Sequence, residues 1–308
     1  MTGSGMRNLL YGCILVILGV FLAMGYDWAT KNFVPSPPPA ARPSQGGLRY
    51  PSADHLRENA LRKYSEIPGM ERRQLRESLG AAVTTLDSWL ARIARSRPDL
   101  ICVGESHDDR TRHFLASRFF SNYPIDVLML ETTPDELAIL VRLIESGSPR
   151  LSMLDADVAE VVRATRQTNV NVSIHGIEES RPQRIVRFKN GAGSREESIF
   201  ENFRAQFRAG ERNLILYGAL HCLAEPPWLF GRIRAGPQSL ELGYTLSANV
   251  VSATGSSETE AFVSFLRELG LPSPPFVIPR TDLLHTEVYA WFPQLTQSFR
   301  QYDAVVVF

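Results

Sequence analysis

Four short apolar runs, each ending in a carboxylate or an imidazole, constrain this chain more than any other feature. They are "DLICVGE" (99–105), "DVLMLE" (126–131), "VSIHGIEE" (172–179) and "NLILYGALH" (213–221). Runs this short that stay apolar on both sides read as strands covered on both faces. Helical patterns separate them. "RTRHFLASRFF" (110–120) puts Leu115 and Phe119 on one face. "PDELAILVRLIES" (134–146) opens on a proline, which suits a first helical turn. "DADVAEVVRATRQ" (155–167) is a third helix. A fourth spans 194–210, with Ser194 and Glu197 spaced as a capping box and Gly210 at its end. "TLSANVVSA" (245–253), "PFVIP" (275–279) and "AVVVF" (304–308) add strands, and 257–269 adds a helix. Strands alternating with helices predict an α/β fold with a mostly parallel central sheet covered by helices on both faces. There is no internal repeat.

Ahead of the first strand, residues 51–97 place leucines at helical spacings, and Leu86 to Ala94 is expected to pack on the sheet. Further upstream the pattern changes. An uncharged apolar run from Leu9 to Gly25 follows Arg7, with Tyr26 and Trp28 where an interfacial aromatic belt would lie. Residues 1–28 are therefore expected to be a signal anchor or a cleaved signal peptide. Residues 29–50 carry the Pro-rich stretch "VPSPPPAARPSQGG" and read as a tether. Residues 51–308 are the folded domain. It is expected outside the cytoplasm, in a periplasmic setting, anchored by the N-terminal helix or secreted after cleavage.

With 33 basic and 33 acidic residues the chain offers no field for a polyanion, so nucleic acid is disfavoured as a partner. The three cysteines, Cys13, Cys102 and Cys222, have no metal-knuckle spacing. Cys102 and Cys222 can pair only if their strands are close; two buried free thiols is the expected state. The Gly-rich "NGAGS" (190–194) lacks the Lys-Ser/Thr ending of a phosphate loop and reads as a loop before a helix.

Ligands of open α/β sheets bind beyond the carboxyl ends of the strands. Glu105 and His107 follow the first strand and share a side if the extended backbone continues. Glu131 follows the second, Glu178 and Glu179 the third, and His221 the fourth. Glu105, His107, Glu131 and His221 at one edge can bind a divalent metal through oxygen and nitrogen, or activate water without one. Gly104 and Gly218 allow close backbone approach to a ligand. His113, His175 and His285 are expected to be structural.

These motifs resemble a known superfamily. "VGESHDD" is similar to the Gly-Glu-x-His signature shared by TIKI proteases, TraB proteins, erythromycin esterases and ChaN-type haem-binding lipoproteins, with Asp108 and His113 closest to the ChaN branch. Glu131 in "VLMLET", Arg195 in "SREESIFENF", Gly218 to His221 in "YGALH" and the terminal "YDAVVVF" match later motifs in order, over residues 86–308. A methionine common after the arginine is missing, and so is the ChaN lipobox. The resemblance implies a metal-dependent extracytoplasmic hydrolase of a peptide, ester or other small molecule. Glu105, His107, Glu131, Arg195 and His221 would be catalytic, and Glu105, His107, Glu131 and His221 would be the ligands of manganese, cobalt or zinc. Arg195 would stabilise an oxyanion or pin a carboxylate. The alternative it implies is a membrane-associated haem- or metal-binding protein without catalysis. Tyr217 and Gly218 would then lie at the cofactor, with Tyr289 and Met153 as further axial candidates. A third possibility is a scaffold that keeps the motif for structure alone.

Overall fold

The computed structural model describes residues 51–148, 156–191, 193–236, 242–280, 287–293, 295 and 300–308. The expected membrane segment and tether lie outside these residues, as do Met153, His285 and the side chain of Tyr289. Among the described residues no helix is long and apolar enough to cross a membrane. The chain divides into two units, Met1–Tyr50 and Pro51–Phe308, and the fold below is that of the second.

Two helices open it, α1 (Ala53–Glu66) and α2 (Gly69–Ala82). A two-residue strand, β1 (Thr84–Thr85), precedes α3 (Leu86–Ser96). Then come β2 (Leu100–Glu105), α4 (Asp109–Phe114) widening into a π-turn over Leu115–Phe120, β3 (Val127–Leu130), α5 (Pro134–Glu145), α6 (Ala156–Thr168) and β4 (Ser173–Gly176). They are followed by α7 (Arg181–Asn190), α8 (Arg195–Gln206), β5 (Asn213–Gly218) and a 3-10 turn, Ala219–Cys222. The rest is α9 (Leu229–Ala235), β6 (Thr245–Val251), α10 (Ser257–Glu268), β7 (Phe276–Pro279), a second 3-10 turn over Glu287–Trp291, and β8 (Ala304–Val307).

The eight strands form one sheet in the order β1-β7-β8-β6-β2-β5-β3-β4. Pairings from β8 to β4 are parallel, and β7 runs antiparallel to both β1 and β8. The expected mostly parallel α/β sheet is therefore present. Strand residues alternate between two packed faces. Ile101, Val103, Leu128, Leu130, Leu214 and Leu216 join one core with Trp89, Leu90 and Phe119. Leu100, Cys102, Val127, Met129, Ile215 and Tyr217 join another with Ile199, Phe203 and Phe230. Each such side chain contributes about 1.5–3 kcal/mol by leaving water, and the double burial explains why these strands are apolar without alternation. As expected, α3 packs on the sheet, through Leu86, Trp89, Leu90 and Ile93.

Four details depart from the sequence reading. The long helical stretch before β2 is broken at β1. The fourth strand stops at Gly218, and the rest of its apolar run tightens into the 3-10 turn. Helix α7 went unforeseen; it is capped by a reciprocal box between Ser180 and Gln183. At α8 half of the expected box forms, with Ser194 accepting from the Glu197 N–H.

The largest correction concerns the thiols. Cys102 and Cys222 form a disulfide, with Cα atoms 5.5 Å apart. Cys102 pairs in register with Ile215 of β5, and the 3-10 turn that follows β5 folds back over β2. The two cysteines are brought together by strands that are neighbours in space and distant in sequence.

Candidate functional site

The parallel register places Glu105 beside Gly218 and Leu130 beside Leu216, so the ends of β2, β5 and β3 share one edge. The chain leaves β2 for β3 and β4, returns through β5, and then crosses to β6 on the other side of β2. That reversal is the position where open α/β sheets keep their ligands.

Glycine is required twice at this edge. A Cβ on Gly104 would sit 2.9 Å from the Cα of Ala219, so the turn after β5 packs directly on the β2 backbone. A Cβ on Gly218 would sit 2.5 Å from His107 Nε2 and 3.3 Å from Glu131 Oε2. The site occupies the volume that a side chain would need.

Glu105 and His107 do meet, but not by a continued strand. β2 ends at Glu105, and His107 takes φ 55°, a left-handed conformation. For a residue other than glycine this costs about 1–2 kcal/mol. The turn carries the imidazole between two carboxylates. Its Nδ1 lies 3.2 Å from Glu105 Oε1 and its Nε2 lies 3.1 Å from Glu131 Oε2. Arg112 Nη2 also approaches Nδ1, at 3.0 Å. A proton on Nδ1 competes with that donor, and a carboxylate at each ring nitrogen favours the imidazolium. Hydrogen bonds to Glu105 and Glu131 raise the His107 pKa to about 9, against the effect of burial.

Glu131 is the hub. Its Oε2 accepts the Gly218 N–H at 2.7 Å, and its Oε1 accepts from Arg195 Nη2 at 2.9 Å. Burial alone would raise its carboxyl, but His107 and the Gly218 N–H outweigh it and hold the pKa at about 2. His221 Nε2 stands 3.8 Å from Glu131 Oε1. Arg195 Nη1 lies 3.3 Å from that same Nε2, and Glu196 Oε1 lies 2.8 Å from Nδ1 without full hydrogen-bond alignment. A guanidinium only donates, so a neutral ring accepts from Arg195 at Nε2 and carries its proton on Nδ1, on the Glu196 side. The His221 ring packs edge-on against Tyr217 and Trp228.

Arg195 binds Glu178 through Nε at 2.9 Å and Nη2 at 2.6 Å, so it pins two carboxylates at once. Its own pKa is pushed up, chiefly by the bond to Glu178. Arg112, from α4, holds Glu105 with its Nε 2.8 and 3.0 Å from the two oxygens and reaches Asp157 at 2.6 Å. Glu105 is 3% exposed, so losing this guanidinium would strand a buried charge.

All five expected catalytic residues, Glu105, His107, Glu131, Arg195 and His221, therefore come together. Their donor atoms do not fit a divalent cation as arranged. The oxygens of Glu105 and Glu131 are already taken up by Arg112, His107, Arg195 and the Gly218 N–H. No group of three or more His, Cys, Asp or Glu among the described residues is disposed to hold one. Tyr217 does not present itself to a haem. Tyr217 is fully buried and its hydroxyl donates to Glu178 Oε2 at 2.9 Å. Outside the site, His113 pairs with Glu160 at 2.8 Å, and His175 is a half-buried residue of β4.

The residues that sequence reading missed are Arg112, Asp157 and Glu196, together with the part played by Glu178. Glu196 follows Arg195 directly and opens α8, so its position was readable. Arg112 and Asp157 lie on helices, where a charged side chain usually faces water.

No family model matches the chain, and no curated protein does. Several solved structures align with parts of the chain. A structure described as bacterial protein toxins aligns at 19% identity and a TM-score of 0.37, over 62% of this chain and 41% of its own. The Pasteurella multocida toxin, described as carrying a thiol-protease-like catalytic triad in its C-terminal region, aligns at 12% identity and a TM-score of 0.36, over 65% of this chain and 30% of its own. The type III effector HopBA1 aligns at 15% identity and a TM-score of 0.32, over 53% of this chain and 81% of its own. The chain thus spans less than half of either toxin structure. Likenesses this distant carry no functional argument.

Proposed function

We propose that this chain is a hydrolase of an ester or amide carbonyl, working at the β2–β5–β3 edge. One observation carries the reading: two imidazoles flank Glu131, each with its Nε2 toward that carboxylate. His107 is held closely, with Glu105 and Arg112 at Nδ1 and Glu131 at Nε2, whereas His221 has Glu196 at Nδ1 and only longer contacts, to Arg195 and Glu131, at Nε2. Two imidazoles set around one carboxylate can divide the acid and base roles of a hydrolysis.

The base is His221. The attacking water displaces the Arg195 contact at Nε2, and Nε2 takes its proton as the water oxygen bonds to the carbonyl carbon. Glu196 at Nδ1 supports the positive charge that this leaves on the ring. The acid is His107. Its Nε2 proton stabilises the developing oxyanion and then moves to the leaving oxygen or nitrogen as the carbonyl bond breaks. The proton on His221 returns through solvent to His107, restoring both groups. Arg195 and Arg112 are positioning residues that hold Glu131, Glu178 and Glu105. The mechanism needs no bound metal. The motif order from Gly104 to His221 supports placing the chain in the TIKI, TraB, erythromycin esterase and ChaN superfamily.

The domain is proposed to work outside the cytoplasm, behind an N-terminal anchor or a cleaved signal. The Cys102–Cys222 disulfide supports this, because such bonds persist in oxidising compartments.

The test is a panel of nitrophenyl esters and short peptides, assayed with the full chain in mild detergent, with and without a chelator. Turnover that survives chelation and falls by about 10²–10⁴ in His221→Ala is expected. Turnover unchanged in a folded His221→Ala variant would refute the assignment.

A further inference from the structure

Beside the charged edge lies a cavity of about 400 Å³ that the network itself does not use. Its floor is Leu130 and Leu216, at the ends of β3 and β5, and its walls are Ile139, Leu140 and Leu143 of α5 and Val158 of α6. Glu105, Arg112 and Glu131 close one end. Small-molecule sites have this size and make-up, with mostly apolar walls and a few convergent polar groups. Ile139 is 51% exposed, an apolar side chain left at the rim.

We infer that this cavity holds the aliphatic acyl chain of a neutral ester, with the carbonyl at the end formed by Arg112 and Glu131. The inference rests on the hydrolytic reading above and adds the substrate class to it. Three points of chemistry support it. The side chains of Leu130, Leu216, Ile139, Leu140, Leu143 and Val158 offer no hydrogen-bond partner, so an apolar group fills their part of the cavity without losing hydration, while Thr132 adds a hydroxyl to the lining. Arg112, the guanidinium in the lining, is already engaged by Glu105 and Asp157, which leaves an anionic ligand without a partner there and favours a neutral one. After cleavage the acyl product becomes a carboxylate to which Arg112, already paired, offers little, and this promotes its release.

The experiment measures kcat/KM for the acetyl, butyryl, hexanoyl and octanoyl esters of nitrophenol, and the binding of hexan-1-ol by calorimetry, on the full chain in mild detergent. Each added methylene is expected to raise kcat/KM by about fourfold until the cavity is full. Leu143→Trp fills a half-buried wall position and should abolish the chain-length preference and the alcohol binding while leaving acetyl turnover in place. Ile139→Glu, at the exposed rim, should do the same if the tryptophan variant does not fold. A flat response to chain length, or a preference that survives in a folded variant, overturns the inference and leaves hydrolysis standing. Hexan-1-ol binding that Leu143→Trp removes, with no ester turned over, keeps the cavity assignment and refutes the hydrolytic one.

Discussion

Cys222, which follows His221, is bonded to Cys102 on the strand that ends at Glu105. The bond ties the turn carrying the proposed base to the strand carrying the carboxylate that holds the proposed acid. It is therefore a fastening of the site as well as of the fold.

Removing the disulfide should be felt in both. It closes a long loop, with a sequence separation of 120. A Cys102→Ser/Cys222→Ser variant is expected to lose about 2–5 kcal/mol of stability. Urea unfolding with and without reductant measures this; coincident curves would show that the bond contributes nothing.

Gly218→Ala separates site from fold. The new methyl would meet His107 Nε2 at 2.5 Å. That atom is the tip of a side chain that can swing away, so the backbone has little to adjust. The variant should unfold at nearly the parent temperature yet lose most of its turnover. Thermal melting and ester hydrolysis on one preparation decide it; equal turnover would mean that His107 does not need its place against Glu131.

Glu196 supports the base without touching substrate. Glu196→Gln removes the charge beside Nδ1 and keeps the shape. The expected result is a lower kcat with KM nearly unchanged, together with an altered pH dependence of kcat. A purely structural role would move neither the pH profile nor the ratio of the two constants.

Acid stability is expected to depend on Glu179, away from the proposed chemistry. This buried carboxylate accepts from Arg187 at 2.7 and 2.9 Å and from Ser198 at 3.1 Å. Arg187, chiefly, holds its pKa at about 2, below the ordinary 4.5. A depressed carboxyl stabilises the fold above its unfolded pKa, and the contribution disappears as pH falls toward the folded value. Glu179→Gln should therefore be less stable than the parent at neutral pH, with the gap narrowing between about pH 4.5 and 2. Denaturant midpoints across that range give the answer; a gap of constant size would rule the linkage out.

Much of this was legible in the sequence, for a physical reason. Strands covered on both faces must be apolar without interruption, so "DLICVGE", "DVLMLE" and "NLILYGALH" stand out as single runs. The polar residue that ends each run marks the edge of the sheet, where Glu105 and His221 stay buried among polar partners. Glu105, Glu131 and His221 could therefore be gathered at a sheet edge before any strand was paired, and Arg195 came from the order of motifs.

The tertiary structure decided what depends on strands adjacent in space. β5 lies beside β2 although β3 and β4 intervene in the chain, and nothing local to Cys102 or Cys222 encodes that neighbourhood. The same pairing brings Gly218 against His107. It also determines which lone pairs remain free once Arg112 and Arg195 swing in from α4 and α8. Residue types along a strand are set by how deeply each position is buried, which a sequence records. The partner of a charge is set by which elements share an edge, and that emerges only when the sheet is assembled.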